Sequence, residues 1–372
     1  MAKPVSYHYN QFPPARLNWE ALVPLIGPAT LALGDFKGLL DAVPDAWVLL
    51  SPLTTQEAVL SSRIEGTQAT LGEVLEFEAE GENQRKSSER IDDIQEVLNY
   101  RLAVQKAAAR LQDLPLCGRL LKEAHQILMQ GVRGKDKAAG HYKQTLNAIG
   151  TPGCTLENAK FIPISPDRLE DGMRQWETYL HSEQPDVLIQ LAIVHAEFEA
   201  LHPFLDGNGR LGRMIIPLFL YERKLLSHPA FYLSEYLEAN REEYYERLLA
   251  ISSDHDWTGW VAFFLKAIAI QARENTRKAR TILQLYEHRK RWIVEQTHSQ
   301  HAVSTLDFMF RQPIFSGADF TKIPGVPRPT ARRILSEIRR EVLREVRPSA
   351  GRRPAIYAYT ELLNAAEGRE VF

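Results

Sequence analysis

From residue 202 to residue 213 the sequence reads His-Pro-Phe-Leu-Asp-Gly-Asn-Gly-Arg-Leu-Gly-Arg. An imidazole, a carboxylate, an amide, two guanidinium groups and three glycines make a poor core and a good seat for a charged phosphate ester. Main-chain N–H groups converge on anionic oxygens only where the backbone comes close. Glycine permits that approach, and a helix N-terminus adds partial positive charge. Gly207-Asn208-Gly209, leading into a helical stretch at 208–224, offers both. Arg210 and Arg213 stand three residues apart, so both can face one site from the first helical turn. Guanidinium forks match polyphosphate oxygens. Asp206 suits Mg2+, which takes one or two carboxylates plus phosphate oxygens. His202, at the end of the preceding helix, can deprotonate an incoming hydroxyl at neutral pH. Taken singly, these residues are a turn, a helix end and a solvated face. Their joint spacing is what points to chemistry.

The elements that must position them are mostly helical. Apolar periodicity predicts helices near 28–40, 91–111, 119–129, 166–181, 185–201, 208–224, 241–251 and 257–291. Thr54-Thr55-Gln56-Glu57 reads as a capping box that starts a helix ending near Glu65, with Gly66 as its stop. Thr70-Leu71-Gly72-Glu73 repeats the start signal. Residues up to about 52 read as an arm wrapped on a larger body. The stretch 131–166, with Ile149-Gly150, Pro152-Gly153 and Phe161-Ile162-Pro163, reads as a hairpin-like loop and as the one β-element of the first 300 residues. The last part changes style. Helices at 303–310, 317–322 and 328–342, the last with Thr330 as N-cap, precede a basic stretch at 347–354 and a strand-like 355–359. That is the outline of a winged helix-turn-helix.

The chain has 372 residues, 44% hydrophobic and 25% charged, as expected of two or three compact units. A net charge of −2 exerts no overall pull toward nucleic acid or membrane. From residue 301 onward, however, 12 Lys+Arg stand against 8 Asp+Glu. The two cysteines, Cys117 and Cys154, lack metal-ligand spacing, which suits a reducing compartment. No apolar leader opens the chain, and no run approaches the ~18 apolar residues of a membrane span. The expectation is a cytoplasmic protein that does not meet a membrane.

Residues 202–213 resemble the signature of the Fic family, His-Pro-Phe-x-(Asp/Glu)-Gly-Asn-Gly-Arg-x-x-Arg, at every specified position. The approach, with His195 and Phe198 before Leu201, resembles the family too. So do Gly140-His141-Tyr142-Lys143, Ile149-Gly150 and Ala159-Lys160-Phe161-Ile162-Pro163, the whole covering roughly 114–270. The resemblance implies transfer of AMP from ATP, with Mg2+, to a Ser, Thr or Tyr hydroxyl of a protein, the chain itself included, with release of pyrophosphate. It implies His202 as general base and Asp206 as Mg2+ ligand. Asn208 and the amides of Gly207 and Gly209 would hold the α-phosphate, and Arg210 and Arg213 the β- and γ-phosphates. Leu211 and Gly212 complete the nucleotide-binding run. Tyr244 and Tyr245 match an aromatic pair near the adenine or ribose in some relatives, and plain helix packing accounts for them equally well. Ile149, Gly150, Phe161 and Ile162 would belong to a β-hairpin flap that positions the target side chain. Many members have Arg where Lys143 stands and a second Pro where Ile164 stands, which leaves the flap's geometry open. Gly209 favours nucleotidyl transfer, because the kinase-like Doc branch carries Lys there.

Ser61-Ser62-Arg63-Ile64-Glu65-Gly66 resembles the family's inhibitory motif, (Ser/Thr)-x-x-x-Glu-(Gly/Asn). The resemblance implies that Glu65 pairs with Arg213 and withholds it from the γ-phosphate, with Ser61 one helical turn earlier on the same face. A glutamate at a helix C-terminus is disfavoured by the dipole, which a partner such as Arg213 offsets. Relatives also use this carboxylate to orient water for removal of AMP. The architecture expected is mainly α: an N-terminal region at 1–113 carrying the inhibitory helix (about 54–66), a Fic core at 114–270 with one flap hairpin, a linking helix at 271–300 and a winged helix at 301–372. Relatives suggest a homodimer. Two other readings compete. One is a DNA-binding regulator with a nucleotide-sensing core, using Arg328, Arg332, Arg333, Arg339, Arg340, Arg352 and Arg353, although Glu337, Glu341 and Glu345 interleave with them. The other is transfer of a different group, such as UMP, phosphocholine or phosphate.

Overall fold

The computed structural model describes residues 3–43, 46–80, 87–132, 137–151, 153–351 and 353–372, so Pro152 and Arg352 lie outside the described residues. Among these the chain is mainly helical, in the order β1 (Val5–Ser6), α1 (Trp19–Asp41), α2 (Ala46–Leu49), α3 (Ser51–Ile64), α4 (Leu71–Glu80), α5 (Ser88–Arg110), α6 (Gly118–Leu128), β2 (Phe161–Ile162), α7 (Pro166–His181), α8 (Val187–Leu201), α9 (Asn208–Glu222), α10 (Ser234–Ala239), α11 (Arg241–Asp254), α12 (Trp257–Thr297), α13 (Ala302–Arg311), β3 (Ile314–Ser316), α14 (Gly317–Phe320), α15 (Arg328–Ile338), β4 (Arg344–Arg347), β5 (Ile356–Ala358) and α16 (Thr360–Glu367). Two compact units form. One gathers Met1–Lys37, Leu60–Gly66 and Asn99–Arg273, the other Gly38–Val59, Thr67–Leu98 and Glu274–Phe372.

The first unit is built around α8. Its sequence is apolar on nearly every side, which only a helix surrounded by protein tolerates, and every residue from Leu188 to Phe198 is buried. Asp186 caps it, accepting the Leu188 and Ile189 N–H groups at 2.9 Å each. The buried indoles of Trp176 and Trp260 donate to the Val194 and Ala192 carbonyls at 2.9 and 2.8 Å. An N-terminal arm is tied to the same helix. The Tyr7 hydroxyl donates to Glu197 at 2.6 Å, and His8 Nε2 meets the other carboxylate oxygen at 2.9 Å. His8 Nδ1 also meets the Ser252 hydroxyl at 2.7 Å.

Several element boundaries differ from expectation. Helix α1 starts at Trp19, not near 28, and contains Pro24 and Pro28. Asn18 caps it by accepting the Ala21 N–H, and its buried side (Leu22, Ala29, Leu33, Phe36) offsets the proline cost. By length and composition α1 is apolar enough to cross a membrane, contrary to the expectation that no segment is. Helix α3 starts at Ser51 rather than Thr54, with Pro52, whose fixed φ suits a first turn, at its second position. Gly66, at φ +103°, ends it as anticipated. The Thr70 capping box is real: Thr70 N–H donates to Glu73 at 3.0 Å, and Glu73 N–H to the Thr70 hydroxyl at 3.3 Å.

The expected hairpin is present only as a single antiparallel bridge, Ile149 with Phe161, and β2 also pairs with β1, in parallel (Val5 with Phe161, Ser6 with Ile162). Gly150 and Pro163 keep the flap's own strands short. β1 is therefore a strand in the first 300 residues that local pattern did not reveal.

In the second unit, helix α13, strand β3, helices α14 and α15 and strands β4 and β5 follow one another. The sheet order is β3-β5-β4, antiparallel throughout. The rings of Phe308, Phe315 (on β3) and Phe320 cluster, two pairs edge-on and one stacked. Thr330 lies inside α15, whose N-cap is Pro327. Strand β3 and helices α10 and α16 were not anticipated.

Candidate active site

His202 ends α8 in the left-handed region, at φ 46° and ψ 61°. Gly207, also left-handed at φ 76°, turns the chain into α9. Asn208 closes the loop between them. Its Oδ1 accepts the Phe204 N–H at 2.8 Å and its Nδ2 donates to the Phe204 carbonyl at 2.9 Å. The side-chain amide expected on a phosphate is thus engaged in shaping the loop.

Phe204, fully buried, stacks on His125 with ring centroids 3.9 Å apart. His125 accepts the Gly140 N–H on Nδ1 at 2.9 Å, so its Nε2 carries the proton and donates to the Asp206 carbonyl at 3.0 Å. Burial lowers its pKa to about 4 and keeps the ring neutral. His125 escaped the sequence reading, since a lone histidine on an amphipathic helix carries no spacing signal.

Asp206 accepts the Gly207 N–H at 2.7 Å and the Lys137 ammonium at 3.0 Å, with Arg210 at 3.9 Å. Burial works to raise its pKa, and Lys137 with Arg210 more than reverses this, holding it below the usual carboxylate range. Lys137 was not anticipated.

The contact expected of Glu65 is present. Arg213, 1% exposed, donates from Nε to the Ser61 hydroxyl at 2.9 Å. Its Nη2 donates to the Ser61 carbonyl at 2.8 Å and to Glu65 at 2.7 Å, while Nη1 is buried without a partner. Burial opposes the Glu65 charge, but Arg213, Arg210 and His202 together hold its pKa below normal. A Cβ on Gly209 would overlap the Glu65 carboxylate, so glycine at 209 leaves room for Glu65 in the position it takes here.

The rest of the expected nucleotide run divides. Leu211 is fully buried in the core. Gly212 presents its carbonyl to His195 Nδ1 at 3.0 Å, which fixes the proton there, and His195 Nε2 accepts the Tyr244 hydroxyl at 3.0 Å. Tyr244 is 1% exposed and serves packing, whereas Tyr245 is 41% exposed and lies within electrostatic reach of Glu65 and Arg213. Gly66 only ends α3. A Cβ on Gly212 would overlap Glu199, a carboxylate with Oε1 buried and unpartnered. Burial raises the Glu199 pKa to about 7.

His202 is held neutral. Burial and the nearby Lys143 charge lower its pKa to about 4, against the opposing pull of Glu65. Its Nδ1 is buried without a hydrogen-bond partner. A neutral imidazole, an anionic carboxylate and two guanidinium groups around a helix N-terminus can bind a polyphosphate and accept a proton beside it.

Comparison with known proteins bears on this arrangement. Residues 23–109 match the Fic/DOC family N-terminal model and residues 115–220 the Fic/DOC family model. A probable protein adenylyltransferase of Aquifex aeolicus is 28% identical over 137 residues, 33% of this chain and 43% of that protein. The protein adenylyltransferase Fic of Drosophila grimshawi is 28% identical over 134 residues, 35% of this chain and 26% of that protein. The chain thus spans less than half the length of these curated relatives. Among solved structures, a Fic family protein from Desulfovibrio desulfuricans superposes with a TM-score of 0.58 at 22% identity, over 94% of this chain and 98% of that one. Fic-1 from C. elegans gives 0.54 at 19% identity, over 73% and 79%. At such identities the likeness is one of fold.

Proposed function

Because the chain belongs to the Fic/DOC family, we propose that it is a protein adenylyltransferase, moving AMP from ATP to a Ser, Thr or Tyr hydroxyl of a protein, and that Glu65 restrains it. The observation that carries this reading is Arg213, buried in the second turn of α9 and pinned by Ser61 and Glu65 eleven residues beyond a neutral His202. The target oxygen attacks the α-phosphorus. The bond from that phosphorus to the oxygen bridging to the β-phosphate breaks, pyrophosphate leaves, and His202 takes the hydroxyl proton. The chain's own work is positioning and charge neutralisation, by the loop amides of Gly207 and Gly209 and by Arg210 and Arg213.

Mg2+ fits this reading. Asp206 offers one anionic carboxylate, its side chain 36% exposed, and phosphate oxygens would complete the shell. Among the described residues there is no group of three or more His, Cys, Asp or Glu placed to hold a metal. Once bound, it would neutralise charge on the phosphates. The intact mass of the protein after incubation with ATP and Mg2+ tests the reading. We expect an adduct of AMP mass on the chain or an added lysate protein, enhanced in Glu65→Gly and lost in Glu65→Gly/His202→Ala. Absence of any adduct, Glu65→Gly included, would overturn it.

A docking role for 301–372 is a second part of the proposal. It is supported by the winged-helix succession of elements and by exposed Arg328, Arg332, Arg339 and Arg340 on or just after α15. Opposite charges interleave, as in the Arg333–Glu337 pair at 2.9 Å, so protein and DNA are both partners such a surface suits.

A further inference from the structure

His202 occupies a backbone conformation that its sequence disfavours twice. A non-glycine residue at positive φ is uncommon, and a residue before proline is driven toward extended geometry. Such strain persists only where the surroundings over-determine it. Here one short segment supplies the determination. Lys143 Nζ donates to the Leu201 carbonyl at 3.2 Å, and Lys143 N–H donates to the Pro203 carbonyl at 2.9 Å. Asn147 Nδ2 donates to the Phe204 carbonyl at 3.1 Å. Asn147 Oδ1 in turn accepts Lys143 Nζ at 2.8 Å, closing the clamp. The carbonyls just before and just after His202 are therefore both held by residue 143.

Lys143 is 3% exposed, and both of its ammonium hydrogen-bond partners are neutral oxygens. Burying an ammonium without a carboxylate is costly, and burial lowers its pKa to about 7. A neutral residue able to cap two carbonyls would avoid that cost. What the amine adds, in its protonated form, is positive charge beside His202, which disfavours imidazolium.

We propose that Lys143, held by Asn147, is a positioning residue of the transfer reaction, fixing the left-handed turn that aims His202 at the target hydroxyl and keeping its imidazole neutral. The proposal rests on the adenylyl-transfer reading. Besides Lys143, the charged groups that act on His202 are Glu65 and Asp206.

The test uses the full chain with Glu65→Gly as parent and follows AMP incorporation from radiolabelled ATP, together with NMR titration of 15N-labelled histidines, His202→Ala assigning the resonance. Lys143→Met should lower kcat about a hundredfold with KM for ATP changed by less than about threefold, as a mispositioned base requires. Lys143→Arg, which keeps charge and donors, should recover most of that loss. Asn147→Ala should lower kcat about tenfold and carries the test if Lys143→Met fails to fold. The His202 midpoint should rise in Lys143→Met. A kcat within about twofold of the parent, in Lys143→Met or, if that variant does not fold, in Asn147→Ala, overturns the proposal. So does a His202 midpoint that stays put in a folded Lys143→Met. A parent that incorporates no AMP overturns the transfer reading instead, and the titration still decides whether Lys143 acts on His202.

Discussion

Burying a guanidinium costs several kcal/mol unless its donors find acceptors, and Arg213 finds them on Ser61 and Glu65. A charge-assisted hydrogen bond of this kind is worth about 1.5–3 kcal/mol, which corresponds to a ten- to hundredfold bias in an equilibrium. Glu65→Gly should therefore raise AMP incorporation from labelled ATP by about ten- to a hundredfold. It should also lower stability without nucleotide by about 1–2 kcal/mol, the Glu65 side chain being one-third exposed and partly screened. Equal labelling of the two chains would remove the brake. Glu199 makes a prediction of opposite sign. Its folded pKa, about 7, lies above the ordinary 4.5. Below pH 4.5 both folded and unfolded chains hold the proton. Between 4.5 and 7 only the folded chain keeps it, so stability declines as pH rises through that window and levels off above it. Glu199→Gln should flatten the decline by about 3 kcal/mol in urea titrations from pH 5 to 8. An unchanged pH dependence would show that Glu199 is ionised in the folded chain. Residue type and spacing singled out His202, Asp206 and Arg213 as candidates, and the family resemblance singled out Glu65, because each belongs to a short contiguous motif. His125, Lys137 and Asn147 act on the same loop from 57 to 81 residues away in sequence, and nothing in their local pattern marks the partner.

At the scale of elements, legibility follows how far each one depends on its neighbours. Helices α5 and α7 carry their apolar stripe and end signals within themselves, and Ser88–Arg110 and Pro166–His181 lie close to the periodic stretches. Strand β1 is two residues long and exists only because β2 offers an edge 156 residues later, with Val5 opposite Phe161. That arm is anchored by Tyr7 and His8 on Glu197, with His8 and Glu197 fully buried side chains. Replacing Tyr7 with Phe and His8 with Leu would strand a buried carboxylate without its two partners, at a cost of about 3 kcal/mol or more. The flap should loosen with the arm. Hydrogen exchange of the Ser165 amide, read in a peptide spanning 145–165, should quicken by about tenfold or more in the double variant, because the Tyr9 hydroxyl that accepts it at 3.0 Å is released as the arm frays. Unchanged exchange there would mean that the flap is held by Ile149 and the body of the unit alone.

For the molecule as a whole, apolar periodicity pointed to a helical protein and local charge to a basic final stretch, but neither to how the chain divides. Leu60–Gly66 belongs with Asn99–Arg273, while its sequence neighbours Gly38–Val59 and Thr67–Leu98 belong with Glu274–Phe372. Such interleaving is decided by long-range packing, which windowed patterns do not register. The basic stretch bears on partners. Of the arginines considered for phosphate contact, Arg333 is taken up by Glu337 and by the Thr297 carbonyl at 3.0 Å. Arg328, Arg332, Arg339, Arg340 and Arg353 are exposed. If all five met phosphates, the logarithm of DNA affinity would fall against the logarithm of salt with a slope of about −4.5, at 0.9 per contact. We expect the full chain to bind a duplex at low salt with a slope no steeper than this, since Glu341 and Glu345 lie among the same exposed groups. Arg332→Ala/Arg339→Ala should reduce the slope by about 2. Fluorescence anisotropy with a labelled duplex, in a salt series on the parent and the double variant, measures both. A slope indifferent to these two arginines, or no binding at any salt, would exclude DNA contact through α15 and leave a protein as the partner of this surface.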